Sequence, residues 1–140
     1  MSAPAFAASF AALYAGHMVG DHIAQTHAQS IGKAAPTGWV KPMLGHLASY
    51  AICQMAAFYA LAAFADFRMA AVGWYLGIPF SVVTHGFIDR RWPVRWLLEH
   101  TGSKPFADLA SSGINGMYLA DQSLHVGCLF VSALLIGGLS

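Results

Sequence analysis

The sequence predicts an all-α fold: an integral membrane four-helix bundle with a short interfacial helix between helices three and four. Three observations carry this prediction. Of 140 residues, 57% are hydrophobic and only 9% charged, against about 25% charged in ordinary soluble domains. The mean hydropathy is +0.55. A chain this short buries too small a fraction of its surface to hide that much apolar area from water. Its apolar residues also gather into four segments, each near the roughly 20 residues that cross a bilayer. Ala, Leu, Met and Phe dominate these segments, which favours helices over barrel strands.

The first segment runs from about Pro4 to Ala24. It lacks a basic leader and carries two ionisable groups late in its run, so it does not read as a signal peptide. The second runs from about Pro42 to Ala65, the third from about Met69 to Asp89 and the fourth from about Gly116 to Gly138. Only Asp66–Arg68 separates segments two and three, a link short enough to force an antiparallel hairpin. The other connections, 25–41 and 90–115, are longer. Within the latter, "WPVRWLLEH" fits a surface helix with Trp92, Trp96 and Leu97 toward lipid. By length the whole chain, 1–140, is one domain.

With four crossings, loops 25–41 and 90–115 share one side. They hold Lys33, Lys41, Arg90, Arg91, Arg95 and Lys104, while the opposite side has Arg68. The excess of basic residues makes these loops cytoplasmic and puts both termini outside. There is no basic stripe for nucleic acid. Cys53 and Cys128 show no metal or redox spacing and read as small packing residues.

The ionisable residues inside these segments are not scattered. Segment one carries His17 and Asp21, segment three His85 and Asp89, and segment four Asp121 and His125; segment two adds His46. Positions i and i+4 share a helix face, so each pair offers two ligands to one point. In segments one and three, which run toward the cytoplasm, His precedes Asp. In segment four, which runs away, Asp precedes His. Every Asp therefore lies nearer the cytoplasmic surface and every His one turn deeper, with His46 near the same level. Three carboxylates at that depth repel one another and require protons or a cation. Arg90 and Arg91 are candidate partners. A divalent metal neutralises the carboxylates more fully and also uses the imidazoles. A ligand set of His17, Asp21, His46, His85, Asp89, Asp121 and His125 suits zinc, manganese or iron. Seven groups suit either two ions sharing a carboxylate or one ion with an outer layer in which Asp orients His.

Around this set, Gln25 and Gln122 lie beside the ligands, and His22, His27 and His100 fall at loop or interface positions. Gly16, Gly20, Gly45 and Gly86 would let the helices approach closely.

The pattern H-x3-D-x3-Q, then a His on the next helix, then H-x3-D, then D-Q-x2-H, resembles a family of small bacterial and phage-encoded integral membrane proteins of unknown function. "HMVGDHIAQ" and "DQSLH" are its most specific parts, and the likeness spans about Tyr14 to the fourth helix. A basic residue often follows the Ile-Asp in that family, as Arg90 does here. An aromatic often follows the first Asp, where this chain has His22. The resemblance implies a bacterial inner-membrane, multi-pass protein with a polar His/Asp centre, and supplies no activity. A looser likeness, in style rather than alignable motif, is to inner-membrane metal-dependent hydrolases.

The functional expectation is a metal-dependent hydrolase acting on a lipid or lipid-linked substrate, with metal-activated water as nucleophile and His46 as ligand or acid/base. The alternatives are a metal carrier, a haem or di-iron redox protein, and a structural subunit of a membrane complex. Membrane lipid is the expected partner, and a homodimer or a membrane-complex partner is compatible with a site half-open to lipid.

Overall fold

The computed structural model describes residues 3–68, 70–71 and 73–138. The chain is mostly helical. Helix α1 spans Ala3–His22, α2 His27–Gly32 and α3 Val40–Phe64. A π-helical turn, Gly73–Gly77, leads into α4, Ile78–Ile88; α5 is Trp92–His100, α6 Lys104–Ala107 and α7 Gly116–Gly138. A two-stranded hairpin, β1 (Ala110–Ser111) and β2 (Ile114–Asn115), turns through Ser112 and Gly113, both at positive φ. That is the backbone that a two-residue hairpin turn demands.

Helices α3 and α7 are long and apolar enough to cross a membrane. Little of either is packed inside the protein: 17% of the most apolar stretch of α3 is buried, and 28% of that of α7. A core helix of a soluble protein would be mostly buried. Ile52, Tyr59 and Phe64 of α3 instead stand outward, Phe64 at 91% exposure.

The third segment departs from the expected single helix over 69–89, whose start at Met69 lies outside the described residues, as do the ends of the 1–140 domain. Pro79 has no N–H to give the ladder. The regular α-helix accordingly begins at Ile78, behind the wider Gly73–Gly77 turn. Gly77 is needed there because a Cβ would lie 2.3 Å from Ile136 Cγ1. The link after α3 is also longer than Asp66–Arg68. Asp66 takes a positive φ, and Phe67 folds back to donate to Leu61 O at 3.2 Å and pack on the core.

Helix α1 packs on α3 and α7, and α4 on α3 and α7. A core of Ala12, Leu13, Phe58, Ile78, Leu129, Ala133 and Ile136 fills one end. Close approach depends on glycine: a Cβ on Gly16 would meet Gln54 Cα at 2.7 Å, and one on Gly20 would meet Tyr50 Cα at 3.1 Å. Gly45 and Gly86 likewise lie against Gln29 and Leu47.

Connection 25–41 holds α2, which the sequence reading treats as loop. Thr26 accepts from Gln29 N, and the Gln29 side chain reaches back to Thr26 N, a reciprocal cap that starts a helix even in a short segment. Helix α5 forms over "WPVRWLLEH", with Val94 buried and Trp92 and Trp96 exposed. It starts behind Arg91, whose φ is 61°. Beyond α5, Lys104 and Arg95 bind Asp108 and hold its carboxyl below the usual carboxylate range.

Candidate metal centre

The polar cluster lies at the end of the fold opposite the core. It takes the last turns of α1 and α4 and the first turns of α3 and α7, because these helices alternate in direction. His17, His46, His85 and His125 are each at most 2% exposed, and Asp21 and Asp89 are at most 4% exposed.

Asp21, His46, His85 and Asp89 converge: one ligand atom from each lies within 4.8 Å of all the others. His46 Nε2 is 2.8 Å from His85 Nε2. Asp89 Oδ2 is 3.0 Å from His46 Nε2 and 3.1 Å from His85 Nε2. Asp21 Oδ1 is 3.4 Å from His46 Nε2 and 3.9 Å from His85 Nε2. A tetrahedral zinc site with bonds of about 2.0–2.1 Å has ligand–ligand edges of about 3.3–3.4 Å. The five distances straddle that edge, so the set could hold a metal ion with small side-chain adjustment.

A second group shares one of these residues. Asp89, Asp121 and His125 also offer ligand atoms within 4.8 Å of one another. Asp121 is part-exposed, and His125 Nδ1 is 3.4 Å from its Oδ2.

His17, expected among the ligands, lies outside both groups. Its Nε2 donates to Gln122 Oε1 at 3.1 Å, and its ring stacks on His125 with centroids 5.1 Å apart. Gln122 Nε2 in turn donates to Asp21 Oδ2 and Asp121 Oδ2, each at 3.2 Å. One amide thus fixes a carboxylate in each group. Gln25 donates to Asp21, to both its backbone and its side chain. The peripheral histidines bind elsewhere: His22 to Tyr118 Oη at 2.9 Å and His100 to Trp96 O; His27 is exposed. Cys53 and Cys128 are free thiols outside both groups.

The sequence reading missed Lys33 as a site residue and left it among the loop cations. The structure buries it at 4% exposure. Its Nζ is 2.9 Å from Asp21 Oδ1, 2.9 Å from Asp89 Oδ1 and 3.1 Å from His46 Nε2. Each contact is longer than a metal bond, so the ammonium caps one face of the four-ligand set rather than filling its centre. Arg90 does not take the expected role against a carboxylate. It grips the backbone instead, donating to Lys33 O at 2.7 Å and Ala35 O at 3.1 Å, with its guanidinium 4.2 Å over the Trp39 ring. That grip sets where Lys33 enters the protein. The signal for Lys33 was present: three carboxylates within apolar segments need cations, and Thr26-x2-Gln29 marks a cap that folds the loop back.

Behind the imidazoles the Tyr50 ring stacks on His85, centroids 3.8 Å apart. Its hydroxyl bonds Ser81 at 3.1 Å and Gln54 at 2.8 Å, and Gln54 donates to Ser81 at 2.7 Å. Tyr50 lies one turn beyond His46 and Ser81 one turn before His85, a spacing that could have identified both.

In front of the cluster a cavity of about 310 Å³ opens outward. Asp21, Lys33, Asp89, Arg91, Tyr118 and Asp121 are among its walls. Comparison of the chain with protein-family models, curated proteins and solved structures returns no match.

Proposed function

We propose that this chain is a multi-pass four-helix membrane protein of the bacterial inner membrane, and that it is a metal-dependent hydrolase acting on a lipid or lipid-linked substrate. The observation that carries the metal is the convergence of Asp21, His46, His85 and Asp89 at near-tetrahedral spacing. Zinc, manganese and iron all accept this mixed imidazole–carboxylate set. The bound ion would lower the pKa of a coordinated water to about 7 and polarise the scissile group. The adjoining cavity gives a headgroup a place to meet it.

The membrane reading is supported by the low burial of α3 and α7 and by their outward aromatic and aliphatic side chains. The third segment crosses as the π-helical turn plus α4, and α5 lies along the interface on Trp92 and Trp96. Lys33 is internal, but Lys41, Arg91, Arg95 and Lys104 still put the excess of basic residues at the cluster's end, which makes that end cytoplasmic. The His/Asp pattern supports a place for the chain in the family it resembles.

Two rival readings lose support. Axial imidazoles of a haem need iron and the porphyrin plane between them, and 2.8 Å between His46 and His85 Nε2 leaves no room. A carrier needs a polar route to the far side, where Leu13, Leu129, Ala133 and Ile136 are buried together.

The test is elemental analysis of the detergent-purified protein, prepared without chelator. Stoichiometric zinc, manganese or iron, lost in His46→Ala and Asp89→Ala, is the expected result. A folded, metal-free protein that takes up none of these ions on dialysis refutes the metalloenzyme.

A further inference from the structure

Asp89 stands in both groups of converging ligands, with Asp21, His46 and His85 on one side and Asp121 and His125 on the other. His125 is 2% exposed. Its Nδ1 faces Asp121 O at 2.9 Å. A carbonyl accepts only, so Nδ1 carries a proton. The ring's Nε2 is buried and has no partner among the described residues. A buried imidazole nitrogen without a partner, on a residue that offers a ligand atom within 4.8 Å of those of Asp89 and Asp121, is a candidate metal ligand. Asp121 also lacks a cation: Lys33 pairs with Asp21 and Asp89, while Asp121 has Gln122 and His125.

We propose that Asp89, Asp121 and His125 form a second divalent-cation site, sharing Asp89 with the first and facing the cavity, and that the substrate is a phosphate ester. This rests on the hydrolase reading and deepens it. The charge balance points to the substrate class. Three carboxylates and one ammonium leave the cluster negative by two charges. One dication makes it neutral, and a second makes it positive by two charges. A phosphoryl dianion entering from the cavity, past Lys33 and Arg91, restores neutrality. Paired ions sharing a carboxylate also suit in-line displacement at phosphorus. Water's oxygen bonds to phosphorus as the ester P–O bond breaks. One of its protons passes to the departing alkoxide and the other stays on the phosphate.

The experiment is Mn(II) equilibrium dialysis with electron paramagnetic resonance on the full chain in detergent, with and without inorganic phosphate. The wild type should bind about two ions per chain, with the exchange-coupled spectrum of a carboxylate-bridged pair. Phosphate should tighten the second ion at least about tenfold. Asp121→Asn and His125→Gln should each leave about one ion per chain with an uncoupled spectrum. Asp121 is part-exposed, so Asp121→Asn tests the site with the core intact. One uncoupled ion in the wild type overturns the second site and leaves the hydrolase reading standing. No bound manganese overturns the second site; if zinc and iron are not taken up either, the hydrolase reading falls with it. A coupled pair indifferent to phosphate overturns the phosphate-ester assignment.

Discussion

Lys33→Met should tighten metal binding, although it removes a residue that touches the ligands. The ammonium sits about 3 Å from Asp21 Oδ1, Asp89 Oδ1 and His46 Nε2, with both partner carboxylates almost wholly buried. An ion bonded to the same atoms at about 2.1 Å would lie on the order of 4 Å from Nζ. A dication and an ammonium at that separation repel by about 8 kcal/mol at an effective dielectric of 20. Lys33 must therefore swing toward the cavity for the ion to enter, giving up its three contacts. Methionine keeps the volume and removes both the repulsion and the contacts to be broken. Without metal the variant leaves two buried carboxylates unpaired, which costs about 3–5 kcal/mol. The ion relieves that cost on binding, so affinity should rise about 100-fold or more, at 1.4 kcal/mol per tenfold. The assay is competition against a chromophoric chelator, alongside thermal unfolding with and without metal. The expected signature is a lower Tm without metal, a larger rise in Tm on metal addition and a tighter Kd. An unchanged or weaker Kd in a folded variant would refute Lys33 as the ion's competitor and make it a helper of binding.

Gln122→Ala removes the amide that steadies Asp21, Asp121 and His17 at once; metal affinity should fall about 10- to 100-fold, read by the same competition, with Tm little changed. Gly16→Ala places a methyl 2.7 Å from Gln54 Cα, a backbone clash expected to cost about 1–3 kcal/mol, whereas Gly127→Ala meets nothing within 4 Å and should leave the melting curve in place. Asp108, held below the usual carboxylate range by Lys104 and then Arg95, contributes to the α5–α6 contacts above its unfolded pKa of about 3.9. That contribution is lost as pH falls through the lower folded value. These groups are exposed, so the loss should appear as local chemical-shift change along α5 and α6 in acid, with no change in global stability.

The long helices were legible from the length and composition of the apolar segments, and the polar level from the four-residue spacing of its ligands. Ligands four apart on each helix, with His and Asp reversing order where the chain reverses direction, needed no coordinates to read. The ends of α3 and α7 fall within two residues of the expected limits. The third segment was misread as continuous because Gly73, Gly77 and Pro79 are apolar in composition but not neutral in backbone geometry. Arg90 and Lys33 exchanged their expected roles for a similar reason. Charge alone does not say which of two nearby cations enters a site and which holds the backbone that carries it. That choice is made by the local Thr26–Gln29 cap and by the Trp39 ring under Arg90, the latter a contact between residues far apart in the chain. His17 shares its helix face with Asp21 but is turned to Gln122, a partner 105 positions away that no local pattern reveals.

One turn beyond His17 lies Leu13, one turn beyond His125 lies Leu129, and one turn beyond Gln54 lies Phe58, all buried in one core. Among the described residues, the cavity, walled by Asp21, Lys33, Asp89 and Asp121, thus opens only at the end of the fold away from this core. On the hydrolase reading, a product must back out by the mouth the substrate entered. A departing product holds the place of the next arrival, so inhibition by product should be competitive with substrate. The residues that admit the one, Lys33 and Arg91 at the threshold, also govern how soon the other leaves.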